Sequence, residues 1–121
     1  SPSRFTYVHL STRPDARAHN VFLVADAARA PLLPVQDKGV EWGRDTWHLV
    51  KVDSSPARGT VQVFFEDMIT PLMEAPLKGD GWGRVGIGSF DDPGCIRSFR
   101  IRAAETRTPQ TKTPFQPDDL P

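Results

Sequence analysis

The sequence predicts an all-β domain, an antiparallel β-sandwich followed by an extended proline-rich tail. Short runs rich in Val, Ile, Phe, Tyr and Thr recur along the chain, and these residue types favour strands. Prolines and glycines separate the runs, as the turns of an antiparallel sheet require. No stretch repeats its apolar residues at helical spacing. We therefore expect about seven or eight short strands and no helix.

The first two predicted strands cover residues 5–10 and 19–25. Arg13-Pro14-Asp15 lies between them and favours a turn. Because sequential strands usually pair, we expect an antiparallel hairpin with a long loop. A short extended piece at residues 32–36 is predicted after the break at Pro31.

A second hairpin is predicted from residues 47–53 and 60–66. Pro56 and Gly59 lie in the connection. Proline supplies the fixed φ of a turn, and glycine supplies the positive φ. Alternation along the second strand places three apolar side chains on one face: Val61, Val63 and Phe65.

Three further strands complete the predicted set, at residues 72–75, 84–90 and 96–102. Asp91-Asp92-Pro93-Gly94 predicts a tight turn between the last two. Phe99 and Ile101 are predicted core residues of the final strand.

Composition limits the classes of function. The chain has 121 residues, enough for one domain, and a formal net charge of +0. A nucleic-acid-binding protein would carry a basic stripe for phosphate contacts, so this class is not expected. No apolar run approaches the ~18 residues that span a bilayer. The single cysteine, Cys95, forms no internal disulfide. The start at Ser1-Pro2, without a methionine, suggests a processed form, a trimmed form or an excerpt of a longer chain.

Residues 104–121 differ from residues 1–103, which we expect to form the sandwich domain. This tail is polar and proline-rich, so it buries too little apolar surface to fold alone. A tail of this composition usually becomes ordered by lying on a surface, either that of a partner or that of its own domain. Five tail residues are predicted to contact a partner: Pro109, Pro114, Phe115, Pro117 and Leu120.

Several short motifs occur in the same order as in a known protein family. The most specific motif is Gly83-Arg-Val-Gly-Ile-Gly-Ser-Phe-Asp-Asp92. Others lie at residues 7–10, 18–24, 42–43, 47–52, 59–68 and at Pro71 and Met73. Over residues 5–102 the chain resembles the C-terminal part of bacterial concanavalin A-like lectin/glucanase domains, in the subgroup near laminin-G-like modules and the 3-keto-disaccharide hydrolase domain.

This resemblance implies a jelly-roll sandwich that lacks its front strands. Another chain would supply the missing strands, or the sandwich is a reduced one with an exposed edge. Members often carry an acidic residue close after the turn at Asp91-Asp92, where this chain has Arg97.

Candidate sites are few. Glu66 and Asp67 are adjacent, so on a strand they point to opposite faces and cannot act together on one bond. Asp91 and Asp92 could begin a calcium shell, although Asp-Asp-Pro-Gly is also good turn chemistry without a metal. His9 and His19 lack the further ligands of a zinc site.

Two tryptophans could instead stack a sugar. Trp42 and Trp82 lie in turn-rich, glycine-flanked stretches where a ring can be exposed, whereas Trp47 begins a strand and is predicted to lie in the core. The alternative is that all three are buried.

The leading expectation is a non-catalytic interaction module, an accessory subunit that docks on a larger extracytoplasmic assembly through its sheet edge and tail. The alternatives are a carbohydrate-binding module and a glycoside-processing enzyme domain. Other protein subunits are expected as partners and carbohydrate is a second candidate. No cofactor is expected unless calcium binds at Asp91 and Asp92.

Overall fold

The computed structural model describes residues 4–79, 83–89 and 94–103. These residues form two antiparallel three-stranded sheets and no helix. The all-β prediction is therefore confirmed.

The first sheet has the order β1-β2-β3. Its strands are β1 (Arg4–His9), β2 (Asn20–Ala25) and the two-residue β3 (Ala30–Pro31). Strands β1 and β2 are antiparallel, with Tyr7 opposite Phe22 and Val8 opposite Val21. The predicted first hairpin is confirmed.

The second sheet has the order β4-β5-β6. Its strands are β4 (Val50–Ser55), β5 (Thr60–Phe65) and β6 (Met73–Pro76). Gly59 has a φ of 68°, which allows the tight connection between β4 and β5. This hairpin is also confirmed.

The core lies between the two sheets. Val21 from β2 packs in one cluster with Val63, Met73 and Ala75 of the second sheet. Five partly buried residues surround this cluster: Val8, Leu10, Leu32, Leu33 and Leu72. Burial of each large apolar side chain contributes roughly 1.5–3 kcal/mol, so this cluster stabilises the packing of the two sheets.

Asn20 is fully buried and its side chain makes four hydrogen bonds. Its Nδ2 donates to the carbonyl oxygens of Leu33, at 2.7 Å, and Ala16, at 3.1 Å. Its Oδ1 accepts from the backbone N–H of Val21, at 2.8 Å, and Leu33, at 3.0 Å. One side chain thus joins the long loop to the segment that follows β3.

A buried histidine holds the same loop from the other side. The Nδ1 atom of His19 accepts a hydrogen bond from the Ser11 backbone N–H at 3.1 Å. The carbonyl oxygen of Ser11 accepts from the Val40 N–H at 2.9 Å. His9 is bound through its Nδ1 to the carbonyl oxygen of Ala18. These contacts fix both ends of the loop.

Gly39 passes directly over this loop. A Cβ atom at residue 39 would overlap the Ser11 carbonyl oxygen and the Thr12 backbone. The absence of a side chain therefore lets Val40, which is buried, reach its hydrogen bond with Ser11.

Two predicted strands differ in extent. The predicted piece at residues 32–36 is not a strand, because Asn20 takes both backbone groups of Leu33 and the sheet ends at Pro31. The strand predicted at residue 47 begins only at Val50. The Leu49 N–H there bonds to the Glu66 carboxylate instead of to a backbone carbonyl.

The predictions for the last two strands are wrong over the residues that the structure describes. Residues 84–89 and 96–102 have no strand pairing. Phe99 and Ile101, predicted as core, are more than half exposed, and so is Trp47. An unpaired segment has no second layer against which to bury its side chains.

We predict that Gly39→Ala destabilises the fold by about 2 kcal/mol or more, because a fixed backbone must move. Gly86→Ala is the matched control, since a Cβ atom at residue 86 meets nothing within 4 Å. Urea unfolding of both variants measures the difference. Equal free energies of unfolding for the two would contradict the close approach at Gly39.

We also predict that the fold loses stability in mild acid. Burial, together with the nearby charge of His9, lowers the pKa of His19. An unfolded histidine protonates near pH ~6.5. Below this pH the unfolded chain therefore binds more protons than the folded chain, and the free energy of unfolding falls as the pH falls.

Urea unfolding between about pH 7.5 and 5.5 tests this expectation. His19→Gln should make the free energy of unfolding nearly independent of pH in this range. His9→Gln removes only the nearby charge, so it should reduce the pH dependence in part. An unchanged slope in His19→Gln would show that another group is responsible.

Candidate interaction site at the edge of strand β4

Among the residues that the structure describes, strand β4 is an edge strand with one partner, β5. The Glu66 N–H donates to the Leu49 carbonyl oxygen at 2.8 Å, which fixes the phase of the hydrogen-bond ladder. Because bonding alternates along an antiparallel pair, every second residue of β4 turns its backbone away from β5. In this register the outward-facing residues are Val50, Val52 and Ser54.

Apolar side chains accompany these open backbone groups. Val50 and Val52 of β4 are 41% and 50% exposed. Trp47 and Leu49, just before the strand, are 53% and 59% exposed. Val50 and Val52 share a face with the buried Val63, so the core-facing side of the sheet continues into solvent here. We call Trp47, Leu49, Val50 and Val52 the β4 patch.

Glu66 shapes the entry to this edge. Its φ of 64° is left-handed and ends β5. Such a φ costs roughly 1–2 kcal/mol for a residue other than glycine. The turn brings its Oε1 back to accept from the Leu49 N–H at 2.9 Å and to face the His48 Nδ1 at 3.0 Å. These two contacts offset the backbone strain.

His48 is held through both ring nitrogens. Its Nε2 faces the carbonyl oxygen of Trp42, and its Nδ1 faces the Glu66 carboxylate. These two contacts tie the loop at Trp42 to the end of β5.

Trp42 lies beside this pair with one third of its surface exposed. Its ring stands edge-on to His48, at a centroid distance of 5.5 Å, and to Phe65, at 5.2 Å. His48 stacks on Phe65 at 5.1 Å. The three rings support one another, so the orientation of the exposed indole is defined.

The C-terminal segment approaches the same edge. The Arg97 guanidinium lies over the Trp47 ring, 4.8 Å from its centroid, a favourable cation–π distance. The two described segments near the C-terminus expose apolar side chains of their own, each more than half accessible: Val85, Ile87, Ile96, Phe99 and Ile101. The unpaired segment that carries Arg97 thus contacts the open apolar edge at Trp47.

The acidic residues at the end of β5 are occupied separately. Glu66 contacts Leu49 and His48, whereas the Asp67 Oδ1 accepts from the N–H groups of Ile69, at 2.8 Å, and Thr70, at 3.1 Å. These backbone hydrogen bonds lower the pKa of the Asp67 carboxyl. The two carboxylates hold different turns and do not converge on a common point.

Of the residues predicted for binding, Trp42 lies in the described part of the chain, and it is accessible. The others lie outside the described residues: Trp82, Asp91, Asp92, Pro109, Pro114, Phe115, Pro117 and Leu120. Within residues 4–79, 83–89 and 94–103, no three His, Cys, Asp or Glu side chains are grouped to hold a metal ion.

The contacts of His48 and Glu66 were not predicted from the sequence. The two residues are 18 positions apart, and only the β4–β5 register brings them together. The one available signal was the pairing of the predicted strands, since the first strand begins near His48 and the second ends at Glu66.

Comparisons with known proteins leave the chain unassigned to a family. No family model, curated protein or solved structure matches it. No helix in the described part of the chain is long and apolar enough to cross a membrane.

Proposed function

We propose that this protein is a non-catalytic interaction module, an accessory subunit that accepts a β-strand from a partner protein at the edge of β4. The observation that supports this proposal is the coincidence of outward-facing backbone groups with exposed valines on one strand. An open edge of this kind is a template for pairing, and proteins that do not use it usually protect it.

The usual protective devices are weak on β4. Lys51 is its one basic residue, and its Nζ donates to the Met68 carbonyl oxygen at 3.2 Å while lying 4.1 Å from the Phe64 ring centroid. That side chain is on the face opposite Val50 and Val52. The outward-facing residues Val50, Val52 and Ser54 carry no charge, so a partner strand meets no desolvation cost from an ion there.

The partner segment has a definable chemistry. A strand added at this edge would bond to alternate β4 residues, and specificity would come from its side chains on one face. Val50 and Val52, which share one face of β4, require those side chains to be apolar. A second apolar layer is also needed for the exposed residues of segments 84–89 and 96–101.

The resemblance to a longer sandwich is consistent with this proposal, because it implies that strands are missing from the chain. We extend the proposal to the tail, residues 104–121, as a second contact with the partner, and to an extracytoplasmic location.

Val52→Lys tests the proposal. The side chain is half exposed, so the variant should fold, and a charge in the patch should weaken strand addition. Val35→Lys is the matched control, because Val35 is 64% exposed and lies outside the β4 patch. We expect the native species from its source to sediment well above 13.4 kDa. The same assembly should persist in Val35→Lys and be lost in Val52→Lys.

A photo-crosslinking residue at position 50 identifies what lies on the edge, with position 35 as the comparison. Crosslinks to one polypeptide from position 50 alone would support the proposal. A native species of 13.4 kDa, or an assembly equally stable in both lysine variants, would refute it.

Carbohydrate binding is the second candidate, supported by the fixed and partly exposed ring of Trp42. The Glu66 side chain beside it is 54% exposed and its Oε2 has no hydrogen-bond partner among the described residues. An exposed indole with a nearby acceptor suits a sugar, whose ring stacks while its hydroxyls donate.

We predict that Trp42→Ala weakens glycan binding about tenfold or more, as loss of a dominant aromatic contact does. Trp47→Ala is the control, since that ring is exposed on the β4 patch. A glycan array followed by calorimetry on the best glycan gives the readout. No glycan bound by the parent chain, or equal losses in both variants, would exclude this function.

A further inference from the structure

A second surface of interest lies on the first sheet, on the side away from the core. Val8 and Val21 face the second sheet, so alternation turns Tyr7 and Phe22 outward. Tyr7 stacks on Phe22 at a centroid distance of 5.0 Å, and Phe5 lies 6.0 Å from Tyr7. Pro31 is opposite Phe22 on β3 and extends this apolar row.

A cavity of about 470 Å³ opens on this row. It is lined by Arg17, Phe22, Arg29 and Pro31. The volume falls in the range of pockets that hold small molecules, roughly 300–1,000 Å³, and exceeds what a bare inorganic ion needs.

Arg29 is held in place before any ligand arrives. Its guanidinium carbon lies 4.6 Å from the centroid of Phe22, and its Nη1 donates to the Tyr7 hydroxyl at 3.1 Å. The contact with the buried Phe22 ring fixes the plane of the group, while its remaining N–H donors make no hydrogen bond with a described residue. A fixed guanidinium loses little freedom on binding.

Arg17 brings a second positive charge to the same cavity. Its backbone N–H bonds to the Asp15 Oδ1 at 2.8 Å, but its guanidinium has no ion pair with a described residue. The ion pairs of the described residues join His48 to Glu66 and Arg58 to Asp53, both on the second sheet. Two guanidinium groups therefore line one cavity, and neither is paired with a carboxylate of a described residue.

We propose that this cavity binds an organic carboxylate whose body is apolar. The two guanidinium groups bind the carboxylate, for which their planar donor pairs are suited. Pro31, which is exposed on β3, provides the apolar wall for the body of the ligand. The carboxylate comes from a free small acid or from an acidic side chain of a protein.

Titration of the full chain with benzoate, followed by heteronuclear NMR, tests the proposal. Acetate and inorganic phosphate are the comparison probes. We expect benzoate to shift the backbone signals of Arg17, Phe22 and Arg29, and to bind more tightly than either comparison probe. A blocked peptide with one glutamate beside a phenylalanine distinguishes the protein source from the free acid.

Arg17→Gln is the first variant. The Arg17 side chain is exposed and its guanidinium makes no ion pair with a described residue, so the substitution should leave the fold intact. We expect it to weaken benzoate binding about tenfold, the effect of one charge-assisted contact. Arg29→Lys keeps the charge and the aliphatic cover of Phe22, and should weaken binding through loss of the planar donor pair.

Arg58→Gln, at the arginine paired with Asp53, is the matched control and should leave binding unchanged. Phosphate binding as tight as benzoate binding would overturn the proposal. Equal affinity in Arg17→Gln and Arg58→Gln, or no signal shifts with any probe, would overturn it as well.

Discussion

The four hydrogen bonds of the Asn20 side chain hold the first half of the molecule together. Without them the N–H and C=O of Leu33 would be left beside the core without partners, each at a cost of roughly 1–3 kcal/mol. The same amide restrains Ala16 in the loop, and through Leu33 it positions the apolar residues that pack on Val21. The inter-sheet core therefore depends on a polar group.

The two sheets differ in how completely they are covered. Strand β2 is buried along much of its length, with the core on one side and the Tyr7–Arg29 layer on the other. Strand β4 has β5 on one side, and no strand of the described residues pairs with its other side. The first sheet thus has a covered face with a cavity lined by two arginines. The second sheet has unpaired backbone groups and exposed apolar side chains at β4. This contrast is why different kinds of ligand are proposed for the two.

Local patterns were sufficient to predict both hairpins. In residues 4–25 and 50–65 the alternation of side chains and the turn residues lie within a few positions of one another, so the sequence contains the whole signal. The strands predicted at residues 84–90 and 96–102 have the same alternation, yet a strand needs a neighbour, and alternation does not supply one.

The contacts that define the candidate sites depend on distant residues. Trp42 was identified from its glycine-flanked position, but its support by His48 and Phe65 follows from the β4–β5 register. The sequence did not predict the contacts of Asn20 and Gly39 or the cavity between Arg17 and Arg29. Each depends on segments that are distant in the sequence and that lie together only in the folded structure. The conformation of Glu66 was also not predicted, because it depends on contacts with Leu49 and His48, which are distant in the sequence.

That conformation restricts which residues evolution can place at position 66. Glycine would adopt the left-handed backbone without strain, but it would leave the Leu49 N–H and His48 without their acceptor. Aspartate and asparagine tolerate the backbone better than glutamate does, but their side chains are one methylene shorter. A β-branched residue would meet the full backbone cost and provide no carboxylate. Homologous chains that keep the hairpin should therefore vary little at this position, although it is exposed and next to a turn.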